Sequence, residues 1–155
     1  MKRILLFLLI AIGPAGLSWA ADPIIGTWKL DVKKSRIAQM PRELTDVYRE
    51  TETGTIELLR AETAADGTTE SSKWSWPKEG GMAERVSPNP LPKEISYIPL
   101  LVDPGHWYVS IVINGKQSLV MHKTISRDGR ILQITIRGKD TQGTLLDDLY
   151  IFRRQ

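Results

Sequence analysis

Apolar side chains recur at every second position through the last third of the chain, with polar residues in the gaps. Trp107, Val109, Ile111 and Ile113 form one run, Leu119, Met121 and Ile125 a second with shared parity, and Leu132, Ile134 and Ile136 a third. A period of two marks strands that turn one face to a core. Between the runs stand Asn114-Gly115, Asp128-Gly129 and Gln142-Gly143, and Leu149 to Arg154 closes the chain. Asn-Gly and Asp-Gly pairs tolerate the positive φ angles of a type I′ turn and are the strongest short-range hairpin signal. The stretch from Trp107 to Arg154 therefore reads as a β-meander of three hairpins.

The earlier part follows the same rule with more interruptions. Ile25 to Asp31 predicts a strand with Trp28 and Leu30 on its buried face, and Leu44 to Thr51 a second strand whose alternation is weak. Ile56 to Ala64 and Thr69 to Trp76 form a hairpin through Asp66-Gly67, in which Trp74 and Trp76 share a face with Ser72 and Glu70. Met82 to Val86 is a short segment. Ser87 to Lys93 contains Pro88, Pro90 and Pro92, too many prolines for a central strand or a helix, and predicts an exposed loop. Glu94 to Val102 returns to strand, demoted to an edge or a bulge by Pro99. Short strands separated by turn signals, without a strong amphipathic helix, predict an all-β barrel or sandwich of about eight to ten strands.

The first twenty residues do not share this pattern. Lys2 and Arg3 precede nine uncharged apolar residues, Ile4 to Ile12, then Gly13-Pro14 and the small-residue frame Ser18-Trp19-Ala20. This is the order of a secretory signal peptide cleaved after Ala20, and the apolar run is shorter than the roughly 20 residues of a spanning helix. The expected organisation is residues 1–20 as a signal and 21–155 as one barrel domain, secreted or periplasmic, with no transmembrane segment in the mature chain.

Charge looks different once that segment is set aside. The formal net charge is +3, from 21 basic and 18 acidic residues; without Lys2 and Arg3 it is 19 against 18, a net of +1. No dense basic stripe remains, so nucleic acid is not expected as a partner. Cysteine is absent. No disulfide, lipid-bearing cysteine, thiolate nucleophile or thiolate metal site is available, and the domain relies on its own core.

The opening Gly26-Thr27-Trp28-Lys29-Leu30-Asp31, followed by Lys34-Ser35, resembles the start of a group of secreted bacterial lipocalin-like proteins. Ile125 to Arg130, Gly138 to Gly143 and Tyr150 to Gln155 are similar to that group's last two hairpins. The resemblance covers both ends and leaves Thr55 to Gly105 unmatched. It implies an antiparallel up-and-down meander closed into a lipocalin or calycin-type barrel, with Trp28 packed at the closed end and Arg153 or Arg154 lying across its ring. It implies no particular ligand, because such barrels host many functions.

Candidate chemistry is sparse. His106 and His122 have no metal-ligand spacing and read as surface or turn histidines, with a haem ligand as the sharper alternative. Asp147-Asp148 are adjacent on a strand and so face opposite sides; the inward one needs a partner, for which Arg137 or Lys139 stands nearby, and edge charges that resist aggregation are the plainer reading. No Gly-x-Ser-x-Gly elbow occurs. We expect no catalytic residue, metal or cofactor. Four aromatic residues remain, Trp74, Trp76, Trp107 and Tyr108, as lining for a small apolar or amphipathic ligand, against the alternative that they are core. The rival function is an envelope interaction or inhibitor module with a filled barrel, docking on a protein partner through Pro88 to Pro92.

Overall fold

The computed structural model describes residues 22–155; the expected signal peptide lies outside them. Ten strands run in order: β1 (Gly26–Leu30), β2 (Glu43–Glu50), β3 (Thr55–Thr63), β4 (Thr69–Pro77), β5 (Glu84–Ser87), β6 (Ile95–Asp103), β7 (His106–Ile113), β8 (Lys116–Ile125), β9 (Ile131–Lys139) and β10 (Leu145–Arg154). All belong to one antiparallel sheet of order β5-β4-β3-β2-β1-β10-β9-β8-β7-β6. The first and last strands meet inside it, since Trp28 of β1 lies opposite Arg154 of β10 and Leu30 opposite Phe152. The two outer strands are brought together by the segment before β5. Gly80 bridges Leu100 and Ala83 bridges Tyr97, through amides of Gly81 and Ala83 that donate to the carbonyls of Pro99 and Tyr97 at 2.9 and 2.7 Å. The result is a nearly closed all-β meander barrel. Among the described residues no helix is long and apolar enough to cross a membrane.

Turn chemistry explains the hairpins. Two connections are two residues long: Pro104-Gly105, with Asp103 opposite His106, and Asn114-Gly115, with Ile113 opposite Lys116 and φ of 51° and 74°, as a type I′ turn requires. The loop at Asp128-Gly129 is longer, because the Asp128 carboxylate accepts from the Ser126 hydroxyl and the Arg130 amide and holds the chain from Ser126 to Arg130 in a wider bend. Gly138 has another task. It faces Leu119 across the β8–β9 ladder, and a Cβ there would stand 2.1 Å from the Ser118 carbonyl oxygen. Only glycine allows these two strands to approach so closely.

One strand departs from the sequence expectation, and the expected irregularity of another has a specific cause. β10 begins at Leu145, before Leu149, because Leu145 to Asp148 pair with β9 although Leu145 itself is exposed. β2 shows weak alternation for a specific reason: its buried positions are Leu44, Asp46 and Tyr48, and the middle one is an acid. Pro99 lies within β6, an outermost strand of the sheet order, whose pairing with β7 shifts register between Leu101 and Asp103.

The main core surrounds Trp28, which is 0% exposed together with Ile24, Ile56, Leu132 and Phe152. Its indole nitrogen donates to the Ile24 carbonyl at 2.8 Å. The Arg154 guanidinium lies over its ring, 4.5 Å from the centroid, and donates to the carbonyls of Gly129, Ile25 and Pro23. Arg153 instead points outward and pairs with Asp31 at 2.8 Å. Arg154→Ala is expected to lower stability by about 1 kcal/mol, the size of an exposed cation–π contact, read as a lower urea midpoint with unchanged slope. Arg153→Ala, which leaves the Trp28 ring covered, is the comparison.

Candidate functional site

Inward positions change character along the barrel. On β3 they are Ile56, Leu58, Arg60 and Glu62, and the β4 residues opposite them are Trp76, Trp74, Ser72 and Glu70. Apolar rows thus give way to charged rows towards the end of the barrel that carries the β3–β4 turn. A second small core of Val109, Ile111 and Leu119 forms on β7 and β8. Between it and β3–β4 lies a cavity of about 240 Å³. Leu58, Trp74, Trp76, Met121 and Ile136 supply apolar wall, while Arg60, Lys123, Asp148 and Tyr150 bring polar atoms to it.

Lys123 is the unusual member. It sits on β8 between Met121 and Ile125, and its parity turns it inward to a residual exposure of 7%. Its Nζ donates to the Tyr48 hydroxyl at 3.2 Å and lies 5.2 and 5.4 Å from the ring centroids of Tyr48 and Trp76. Aromatic faces attract a cation but do not neutralise it. Burial lowers its pKa to about 8, with the Asp46 carboxylate opposing the change and the Arg60 cation adding to it.

Asp46 is committed elsewhere. Fully buried, it accepts from Nε and Nη2 of Arg60, both at 2.8 Å, in a fork-on-carboxylate pair. Burial works against the Arg60 cation, but the Asp46 charge and hydrogen bonds outweigh it and hold the guanidinium above its ordinary range. Burial first, and then the Asp46 charge, pushes the Tyr48 phenol well above its usual value. Burial also carries Tyr150 up to about 12, partly offset by Arg60.

The four aromatic residues expected as lining separate into three environments. Trp74 and Trp76 line the cavity. Trp74 is half-buried, its indole nitrogen on the Ser72 hydroxyl at 3.1 Å, with Tyr97 edge-on at 5.0 Å and the Arg85 guanidinium 5.8 Å from its ring centre. Trp107 is 1% exposed and packs edge-on behind Trp76 at 6.3 Å, within the core. Tyr108 corrects the expectation: with Trp107 and Val109 inward, strand alternation turns it to the outer face, where it is 41% exposed near His122.

The titratable candidates also find their places. His106 and His122 are exposed, and the His106 ring nitrogen bonds the Asp103 carboxylate at 2.9 Å. Among the described residues no group of three or more His, Asp or Glu is arranged to hold a metal ion. Asp148 is the inward member of its pair, yet its partner is neither Arg137 nor Lys139. It accepts from the Ala38 amide at 2.9 Å, because Arg137, directly opposite Asp147 on β9, pairs outside the barrel with that residue, as Arg36 does.

Sequence reasoning missed Asp46, Arg60 and Lys123. The signal was present as parity: each occupies an inward slot in a run of apolar residues. Their partners lie 14 and 75 positions apart in the chain, which local alternation does not reveal.

No family model and no curated protein matches this chain. Among solved structures, the wild-type fluorescent protein UnaG is similar in fold: the match covers 84% of this chain and 96% of that one, with a TM-score of 0.53 and 12% sequence identity. The shared feature is the nearly closed antiparallel barrel.

Proposed function

We propose that this protein is a secreted or periplasmic barrel that binds or sequesters a small apolar or amphipathic molecule without changing it. The unfilled interior carries the reading: about 240 Å³ lined by Trp74, Trp76 and aliphatic side chains. A barrel serving only as a docking scaffold needs no such space. The location rests on the residue pattern of Lys2 to Ala20.

The volume limits the occupant. It exceeds the roughly 150 Å³ cavity that accepts benzene and falls short of the roughly 300 Å³ at which drug-sized sites begin. One or two rings, or a short branched chain, fit these bounds. Removing ~200 Å² of such a ligand's apolar surface from water contributes about 5 kcal/mol. That alone corresponds to high-micromolar binding at best, so a tighter complex requires polar contacts as well.

Native mass spectrometry of the protein recovered gently from its secretory compartment tests the reading, with a small non-covalent mass lost on denaturation as the expected result. In parallel, Trp74→Ala is expected to weaken binding of such a ligand about tenfold, since it removes one aromatic wall, in a tryptophan fluorescence titration. Trp74 is half-buried, so the fold tolerates the change. An unliganded mass, together with no response to any small aromatic probe, sinks the proposal.

A further inference from the structure

Resting on that reading, we infer that the cavity recognises an acidic head group, and that its ligand is a small aromatic or apolar carboxylate anchored on the ε-ammonium of Lys123. The inference follows from matching each charge at the cavity with its partner. Arg60 is neutralised by Asp46 through two bonds of 2.8 Å. Asp148, on the β10 side, accepts from the neutral Ala38 amide through Oδ1, a hydrogen bond that supplies no counter-charge, and it forms no ion pair with Lys123 among the described residues. Lys123 has no carboxylate within ion-pair distance among the described residues; its one hydrogen-bond partner is the neutral Tyr48 hydroxyl.

An ammonium group has three donors, and burial at 7% exposure leaves little water to take them. Such a group is costly unless a counter-charge arrives. Lys123 lines the cavity, and so does Trp76, whose indole N–H is buried and has no acceptor among the described residues. One carboxylate oxygen on Lys123 Nζ and a polar contact to Trp76 Nε1 would satisfy both donors together, while the rest of the ligand lies against Trp74, Leu58 and Met121. An alcohol or hydrocarbon of the same shape fills the space without supplying the charge.

The test uses matched probes on the mature protein: trans-cinnamate against cinnamyl alcohol, and 1-naphthoate against 1-naphthalenemethanol, by calorimetric titration at pH 7. A hydrogen bond to a charged group predicts an acid preference of about tenfold or more. Lys123→Met, which keeps the side-chain volume, is expected to abolish that preference by weakening the acids about tenfold or more relative to the alcohols. If the alcohols bind as tightly as the acids in the parent, or if Lys123→Met leaves the preference intact, the head-group inference is overturned and the ligand-binding reading stands. If none of the four probes binds the parent, the pocket reading fails and this inference with it. Lys123→Gln, still polar but uncharged, serves as the second variant; retention of the acid preference in it also counts against an ionic anchor.

Discussion

Asp46→Asn lowers the free energy of unfolding by about 3–5 kcal/mol, the expected size for removing one partner of a buried ion pair. Asparagine has nearly the same shape, so the loss reports charge and hydrogen bonding more than packing. In the parent, the Asp46 carboxylate receives both prongs of Arg60, and its charge opposes the effect of burial on Lys123. The variant leaves two cations inside one barrel, with Arg60 29% and Lys123 7% exposed. Against a typical domain stability of about 5–15 kcal/mol, this is a large fraction. Urea unfolding at pH 7 measures it as a lower midpoint. The double variant Asp46→Asn, Lys123→Met should recover part of the loss, since it removes one of the stranded cations, so the two effects will not add. A single variant within about 0.5 kcal/mol of the parent, the scatter of ordinary surface substitutions, would show that solvent already serves Arg60.

Lys123→Met has the opposite sign: the barrel without ligand becomes more stable by about 1–3 kcal/mol at pH 7, as when buried charges give way to packed apolar residues. The pH dependence provides a second, independent check. An unfolded lysine titrates near its ordinary value of 10.5, and Lys123 in the fold at about 8. Between these values unfolding takes up a proton, so the parent's stability rises with pH across the window and is flat below it. Tyr48, Tyr97 and Tyr150 are all held above their ordinary value of 10.0. Above pH 10 the folded barrel keeps protons that the unfolded chain loses, and these tyrosines reverse the trend. From pH 8 to 10, Lys123 alone contributes a rise of up to about 2–3 kcal/mol. Arg60, held above its ordinary range, keeps its charge in that interval and shifts both proteins alike. Chemical unfolding at pH 7, 8, 9 and 10 should therefore show the variant's advantage shrinking as pH rises. A constant difference between the two proteins would mean that Lys123 titrates as an exposed lysine does. A residue that costs stability and faces a cavity is what a binding site built around an absent counter-ion would show, so the sign of this effect bears on the head-group inference too.

Much of the barrel was legible because its strands obey a period of two. Asn114-Gly115 located the two-residue β7–β8 hairpin, Pro88 to Pro92 the exposed loop, and Pro99 a strand at the end of the sheet order. Trp28, Trp76 and Trp107 were legible as large inward residues. Tyr108 was misplaced by treating two neighbouring aromatic residues as one feature, although adjacent strand residues face opposite ways. Asp148 was legible as the costly one of its pair, but its partner was sought on the neighbouring strand. It came instead from the connector between β1 and β2, whose Ala38 amide reaches it across 110 positions of chain.

The sequence by itself determined the inward face of the strands with regular apolar alternation, where the chain turns, and that the fold is all-β, since these depend on spacing and turn chemistry within a few neighbouring residues. Only the tertiary structure decided that Asp46 is matched by Arg60, that Lys123 is left with Tyr48 and two aromatic faces, and that about 240 Å³ stays unfilled between β3–β4 and β7–β8. Charge pairing across a barrel depends on the register of strands far apart in the chain. A cavity is the small difference between the space that the closed sheet encloses and the side-chain volume that all its strands supply.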